Sequence, residues 1–512
     1  MAEPTMISER VKQKQCPIGK QGFCCKICLM GPCIICKPDQ KGVCGATQDL
    51  IVARNVLRFT AGGASAHCGH AYHVMKYLSK SYPPNYIKDK APSYLYKLWN
   101  KLGIIPKIKF EHFKDISESL HMTTMGVNSD YQDVLKNCMK VGIVDGYYGM
   151  YFATQLEDER LGKPKIKKGK MDLGCLDPNK VNIAVHGHEP MFASAIAQEA
   201  KKHKDVNLVG VCCTGASLLA RFGVPMAANF ILQENVIASG IVDAMVVDIQ
   251  CIMPSVSDLC GCYHTKLITT NEIAKMPNAT HLPITKETEA QEAAKKIIAI
   301  AKDNIKNRRK DCNKLFSQQK TKSIEVTTGF CEDNINIKKL SQMVKNKEVK
   351  GIIGLVGCVN PRTPIDQWMQ VFKKLKKDYI ILTTGCVAFE VGKRGMMDGQ
   401  RVFHLGSCVN NSRIAEILKR VSENLNKEMT ELPFIITCPM PITEKSLAIG
   451  MFFAAQGVDV HYGYPFMISS DTNVAGFLAN VLKDQFKSSV FLDTEPESFY
   501  NKLKNGLEVT PK

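Results

Sequence analysis

The stretches VNIAVHGHEP (residues 181–190) and VNLVGVCCTG (206–215) each begin as a short apolar run and end on side chains that bind metals: His186 and His188, then Cys212 and Cys213. A run of this length, rich in β-branched residues and closed by a glycine or proline, reads as a strand buried on both faces of a parallel sheet. The construction recurs. Residues 244–249 lead into Gln250-Cys251, 351–356 into Gly357-Cys358, 379–382 into Thr-Thr-Gly385-Cys386, and 402–405 into Gly406-Ser407-Cys408. A single cysteine after a strand is ordinary packing. Six such coincidences place metal donors where open parallel sheets bind ligands, beyond the carboxyl ends of their strands.

Outward from these runs, the strands, with a further one at 434–436, fall into two sets separated by a Lys/Asn-rich region near 302–350. Before them lies a different texture. Residues 1–48 are rich in Cys, Gly and Pro, and from Thr47 the spacing of Leu50, Ile51, Ala53, Val56 and Leu57 is helical, as are amphipathic segments to about residue 150. The expected fold is therefore α/β: an N-terminal Cys-rich and helical domain at 1–174, a middle doubly wound parallel-sheet (Rossmann-like) domain at 175–340, and a second such domain at 341–512.

Composition bounds the function. A chain of 512 residues, 45% of them hydrophobic, can bury several cores, and its 21 cysteines are too dilute for a small disulfide scaffold. The N-terminus has no apolar signal region and no run is long enough to span a bilayer, so a cytoplasmic protein is expected, meeting a membrane only through partners. The formal charge of +18 comes with scattered basic runs at 165–170, 306–310 and 373–377 and no nucleic-acid motif, so these runs read as solvated surface.

Cys16, Cys24, Cys25, Cys28, Cys33 and Cys44 form the first constellation. Cys25, Cys28, Cys33 and Cys44 make a complete set for a cubane [4Fe–4S] cluster. Cys16 and Cys24 make half of one, and a twofold axis would supply the other half from a second chain. Zinc is the competing ligand, against which the adjacent Cys24-Cys25 pair argues. The strand-end donors number one imidazole and five thiolates, more than a cubane needs, which suggests a larger or mixed-metal cluster of iron and nickel. His67, His70 and His73, three apart on a helix, could form a ladder for protons.

Taken together, GFCCKICLMGPC (22–33), GVCGA (42–46), IVARN (51–55), VHGHEP (185–190), VCCTG (211–215), VDIQCIMP (247–254), TTGC (383–386), GSCVNNSR (406–413) and EKSLAIG (444–450) resemble the catalytic subunits of anaerobic nickel–iron carbon monoxide dehydrogenases, of the hybrid cluster protein/carbon monoxide dehydrogenase superfamily. The resemblance runs from Cys16 to beyond Ile449. It implies an oxidoreductase that converts CO and water reversibly to CO2, two protons and two electrons. Cys16 and Cys24 would bind a [4Fe–4S] cluster shared across a homodimer, and Cys25, Cys28, Cys33 and Cys44 one in each chain. The nickel–iron–sulfur cluster would take Cys408 on nickel, His188 and Cys213 on the pendant iron, and Cys251, Cys358 and Cys386 on the other irons, with His186 and Cys212 as second choices. Lys445 would stabilise developing negative charge, His67 would handle a proton, Asp145 would orient His67, and Ile449 would wall the substrate. His70 and His73 would pass protons outward. A ferredoxin-like carrier would take the electrons, with acetyl-CoA synthase or hydrogenase subunits as further partners.

The chain departs from that pattern in a shorter N-terminal helical part, in Lys76 where another histidine is expected, and in Ala216-Ser217. Cys36 and Cys68 receive no role. Two other readings compete: a hydroxylamine reductase like the hybrid cluster proteins, and an iron–sulfur electron carrier or sensor without turnover.

Overall fold

The computed structural model describes residues 5–37, 39–81, 85–106, 112–319 and 321–505. Among them, the segment before residue 162 is helical apart from one two-residue antiparallel pair, Cys24–Cys25 with Cys33–Ile34. Its spine is α1 (Gln48–Tyr77), with Asp49 in the first turn, where a carboxylate complements the amino-terminal end of the helix dipole. α2 (Tyr131–Val144) starts on Asp130, whose side chain accepts from the amides of Gln132 and Asp133. It continues as a π-helical segment, Asp145–Tyr151, and then as α3 (Phe152–Leu161). Widened turns of this kind concentrate at functional sites, and Asp145 opens this one.

The first sheet has eight strands: β1 (Lys167–Met171), β2 (Val181–Gly187), β3 (Val206–Val211), β4 (Met226–Ala228), β5 (Val242–Val247), β6 (Lys266–Thr269), β7 (Thr280–His281) and β8 (Ile324–Thr328). Their spatial order is β8-β1-β4-β3-β2-β5-β6-β7, parallel except for the β8/β1 edge pair. The chain builds outward through β3 and β4, then returns to the other side of β2 for β5, β6 and β7. The second sheet is wholly parallel: β9 (Gly351–Leu355), β10 (Tyr379–Thr383), β11 (Val402–His404), β12 (Phe434–Cys438), β13 (Asp459–Tyr462) and β14 (Val490–Leu492), ordered β11-β10-β9-β12-β13-β14. Each sheet thus has a point where the winding reverses, at β2/β5 and at β9/β12, and such points open the crevice that ligands use. The strand expected at 244–249 lies at Val242–Val247, because Asp248 has already left the sheet to bind neighbouring turns.

The helical part closes over these crevices through α4 (Glu444–Ala455), which follows β12 and packs on α1 and α2. Trp99 Nε1 donates to the Ala455 carbonyl at 2.8 Å and holds the far end of α4. The near end is set by Gly63: a Cβ there would fall 2.4 Å from the Glu444 carbonyl oxygen, so only glycine lets α1 pass this close to the first turn of α4.

Gly69, in the same helix, has open space at its Cβ position. Gly63→Ala should therefore destabilise the protein by about 1–3 kcal/mol through overpacking, whereas Gly69→Ala should stabilise it by about 0.5–1 kcal/mol through helix propensity. Opposite shifts of the apparent unfolding temperature would show this contrast.

Candidate metal centre

The six expected donors all follow strands at the carboxyl edges of the two sheets. His188 follows β2, Cys213 β3, Cys251 β5, Cys358 β9, Cys386 β10 and Cys408 β11, while Lys445 stands in the first turn of α4 after β12. Each turn reverses direction through left-handed backbone: Gly187 (φ +137°), Cys212 (+55°), Gln250 (+68°), Cys251 (+56°), Gly357 (+95°), Gly385 (+67°) and Gly406 (+114°). For Cys212, Gln250 and Cys251 this conformation costs of order 1–3 kcal/mol each, strain that persists only where surrounding structure enforces it.

The side chains converge. Donor atoms of His188, Cys213 and Cys408 lie within 4.8 Å of one another, and all three residues are buried. The Cys408 amide donates to Cys213 Sγ at 3.3 Å. Cys251 Sγ is 3.8 Å from His188 Nε2, Cys358 Sγ is 3.6 Å from Thr443 Oγ1, and Cys386 is buried. All these cysteines are free. His186 lies outside the group of three, its Nε2 2.9 Å from Gln233 Oε1.

Lys445 enters from the other side. Its Nζ is 2.5 Å from His188 Nε2, 3.0 Å from Gln250 Oε1 and 3.4 Å from Cys251 Sγ. An ammonium has no lone pair, so His188 Nε2 must accept. Burial, reinforced by the Lys445 charge, accordingly holds the His188 pKa well below the ordinary imidazole range. Burial opposes the charge on Lys445, yet Cys251, Cys408, Cys213 and Cys358 around it hold its pKa above the usual lysine value. Burial also pushes the Cys251 thiol up to about 12 and that of Cys212 up to about 11. Metal binding here must expel protons, which thiophilic metals do. Five thiols and an imidazole, with no carboxylate among them, suit a sulfur-bridged group of several metals; one ion would use only three or four of them.

His67 Nδ1 lies 2.7 Å from Asp145 Oδ1, both residues being fully buried, and His67 Nε2 has no hydrogen-bond partner among the described residues. Gln250 Nε2 donates to the Ala66 carbonyl at 2.7 Å, tying the residue before His67 to the Cys251 turn. The three histidines do not bond to one another. His70 Nε2 meets Glu157 Oε1 at 3.1 Å, and His73 Nδ1 lies 3.4 Å from Asn271 Nδ2. Lys76 pairs with Glu272 at 2.8 Å. Ile449 is buried one turn beyond Lys445.

The N-terminal cysteines form a separate region. Cys16 caps the short helix Pro17–Gln21, its Sγ accepting from Gly19 N at 3.3 Å, and Cys25 faces Cys33 across the antiparallel pair. Asn55 of α1 anchors the segment by donating to the carbonyls of Gly22 and Cys24. Cys16, Cys36 and Cys44 are exposed and Cys25 is buried, as is Cys68, in the α1 core. Sequence reasoning missed Asp248, which ties the donor turns together, and Thr443 beside Cys358. Both lie in or next to the quoted motifs, but an acidic residue after a strand carries no mark of which backbone it will bind.

Two parallel-sheet domains that face their donor-bearing edges across a buried cage of sulfur and imidazole, beside a cysteine-rich segment, define a multi-metal redox protein. The chain belongs to the Prismane/CO dehydrogenase family, whose model matches residues 23–82 and 75–497. It is 32% identical to carbon monoxide dehydrogenase 1 of Methanosarcina acetivorans over 94% of this chain and 90% of that one. It is 31% identical to carbon monoxide dehydrogenase 1 of Carboxydothermus hydrogenoformans over 96% and 93%. Among solved structures, carbon monoxide dehydrogenase IV of Carboxydothermus hydrogenoformans superimposes with a TM-score of 0.90 at 30% identity, covering 97% of this chain and 94% of the other. A nickel-free carbon monoxide dehydrogenase from Thermococcus sp. AM4 superimposes at 0.89 with 31% identity, covering 98% and 93%.

In metal-free protein near neutral pH, iodoacetamide should modify exposed Cys16, Cys36 and Cys44 first. Cys386 and Cys408, buried thiols whose pKa values their thiol neighbours and burial hold well above the usual range, should react only on unfolding. Mass spectrometry of the adducts checks the order.

Proposed function

We propose that the chain catalyses CO + H2O ⇌ CO2 + 2 H+ + 2 electrons at a nickel–iron–sulfur cluster held by His188, Cys213, Cys251, Cys358, Cys386 and Cys408. The observation that carries this reading is Lys445 Nζ standing among these donors, 3.4 Å from Cys251 Sγ, while His67 offers a buried Nε2 without a partner among the described residues. A carrier or sensor needs neither. The cluster, when bound, supplies Lewis-acid sites for CO and for water and takes up the two electrons.

The remaining work falls to the protein. Lys445, an ammonium kept charged in a dry site, stabilises negative charge as it develops on the reacting carbon and oxygen atoms. His67 gives its Nδ1–H to Asp145, which leaves Nε2 as the acceptor for the proton released. Ile449 presents an apolar wall suited to a small uncharged gas. A cleft of about 600 Å³, lined by Cys16 and Phe59 at one part and by Thr443, Ser446 and Leu447 at another, reaches Thr443, the residue beside Cys358. His70 and His73 carry protons outward, each through its own partner, Glu157 for the first and the Asn271 region for the second.

Electrons leave through a [4Fe–4S] cluster on Cys25, Cys28, Cys33 and Cys44 and then one that Cys16 and Cys24 share with a second copy. Leu29, Met30, Ile34 and Val43 expose apolar side chains in this segment, which suits a face covered in a homodimer. A ferredoxin-like carrier is the acceptor that such a chain of clusters serves. An acetyl-CoA synthase subunit is a further partner: one relative, 30% identical and from Moorella thermoacetica, is named a carbon monoxide dehydrogenase/acetyl-CoA synthase subunit beta. No helix among the described residues is long and apolar enough to cross a membrane.

Anaerobically purified protein loaded with iron and nickel should reduce a viologen dye when CO is admitted and not before. Hydroxylamine consumption without CO oxidation would assign it to the hydroxylamine reductases instead. Lys445→Ala should lower kcat by about 10²–10³-fold with iron and nickel content retained. Replacing both Cys16 and Cys24 by alanine should remove about two iron atoms per chain, half of a shared cubane, as metal analysis would report.

A further inference from the structure

We propose that Asp248 is the positioning residue that fixes His188, Cys213 and Cys251 relative to one another, through one carboxylate bound to three donor-bearing turns. The inference rests on the assignment of those three residues as metal ligands.

Asp248 Oδ1 accepts the amide of His188 itself at 2.6 Å, that of Glu189 at 3.3 Å and that of Ile249, in the turn leading to Cys251. Its Oδ2 accepts the hydroxyl of Thr214, the residue after Cys213, at 2.6 Å. The Asp248 amide donates in turn to the His186 carbonyl at 2.9 Å. The turns after β2, β3 and β5 therefore share one anchor, and the residue is only 9% exposed. Two further features fit a built junction. Gly187 takes φ +137°, and a Cβ on it would collide with the Asp248 carboxylate. Gly187 also bridges Cys212, so the first two turns touch directly as well.

The residue type follows from the donors. Three amides and a hydroxyl converge on two oxygens, and a carboxylate is the short side chain that accepts on both without presenting a hydrogen. An asparagine keeps the shape and, with its oxygen towards the three amides, turns its NH2 to the Thr214 hydroxyl, which must then accept instead of donate and leaves its own hydrogen without this acceptor. The arm to the turn after β3 weakens, and the position of Cys213 relative to His188 and Cys251 loosens. Loss of supporting partners around metal ligands typically costs 10–100-fold in affinity or activity.

The test uses the full chain, matured anaerobically with iron and nickel, as wild type, Asp248→Asn, Thr214→Val and Thr214→Ser. The readouts are iron and nickel per chain at fixed nickel concentration, the Mössbauer signature of the irons, and the unfolding temperature of metal-free protein. Asp248→Asn should lower nickel affinity about 10–100-fold and change the iron spectrum of the catalytic cluster, while the N-terminal cubane signal stays. Thr214→Val, which removes one arm of the junction, should give a smaller loss in the same direction, and Thr214→Ser should restore wild-type loading. A folded Asp248→Asn chain with wild-type nickel affinity and an unchanged spectrum overturns the proposal. If Asp248→Asn does not fold, Thr214→Val with wild-type loading overturns it equally. Wild-type protein that takes up no nickel overturns the ligand assignment, and the role of Asp248 falls with it.

Discussion

Five thiols and an imidazole must be gathered out of water around one point, and no short stretch of chain can do that. The structure draws them from six separate turns, three per sheet, each leaving a strand through left-handed backbone. Parallel sheets suit the task because all their strands end on one side, and the two sheets set these sides against each other. The winding reversals at β2/β5 and β9/β12 open space where His188, Cys251, Cys358 and Lys445 enter.

The helical part supplies what the sheets lack. α1 brings His67 and, through the Ala66 carbonyl, a tie to Gln250; α4 brings Lys445; the π-helical segment brings Asp145. Its attachment is ionic as well as apolar. Glu157 and Asp158 of α3 bind Arg221, at the end of the helix Cys212–Phe222 that carries Cys213 in its first turn, and Asp158 also binds Arg413, shortly after Cys408. Glu332, beyond β8, completes the network with Arg413 at 2.7 Å. Burying such charges confers little net stability, but breaking one pair strands its partner without water. The network therefore favours one docking of the helical part over near alternatives.

The central strands and the candidate donors after them were legible because two signals coincide there: an apolar β-branched run ends, and a cysteine or histidine follows within a few residues. The edges were not. β1 and β8 pair antiparallel with lysines alternating on β1, so Lys167–Met171 reads as a basic linker although Gly169 and Met171 are buried. β4, β7 and β14 are two or three residues long, too short to show a period. The residue types expected as donors were legible, but His186 and His188 stand only two apart at the end of β2. Gln233, from a distant helix, engages His186, while His188 groups with Cys213 and Cys408. The histidine spacing was legible and its partners were not: Glu157 and Asn271 come from elements far along the chain. Asp248 escaped notice for the same reason.

That each sheet owns only three of the donors also sets a timetable. While the chain is being synthesised, the middle domain can complete its sheet and present His188, Cys213 and Cys251 with the opposing thiols still to come. A half-cage of that kind grips metal loosely, because chelation strengthens with each ligand fixed in place. The full set of six therefore exists only once translation has passed Cys408 and both sheets have met.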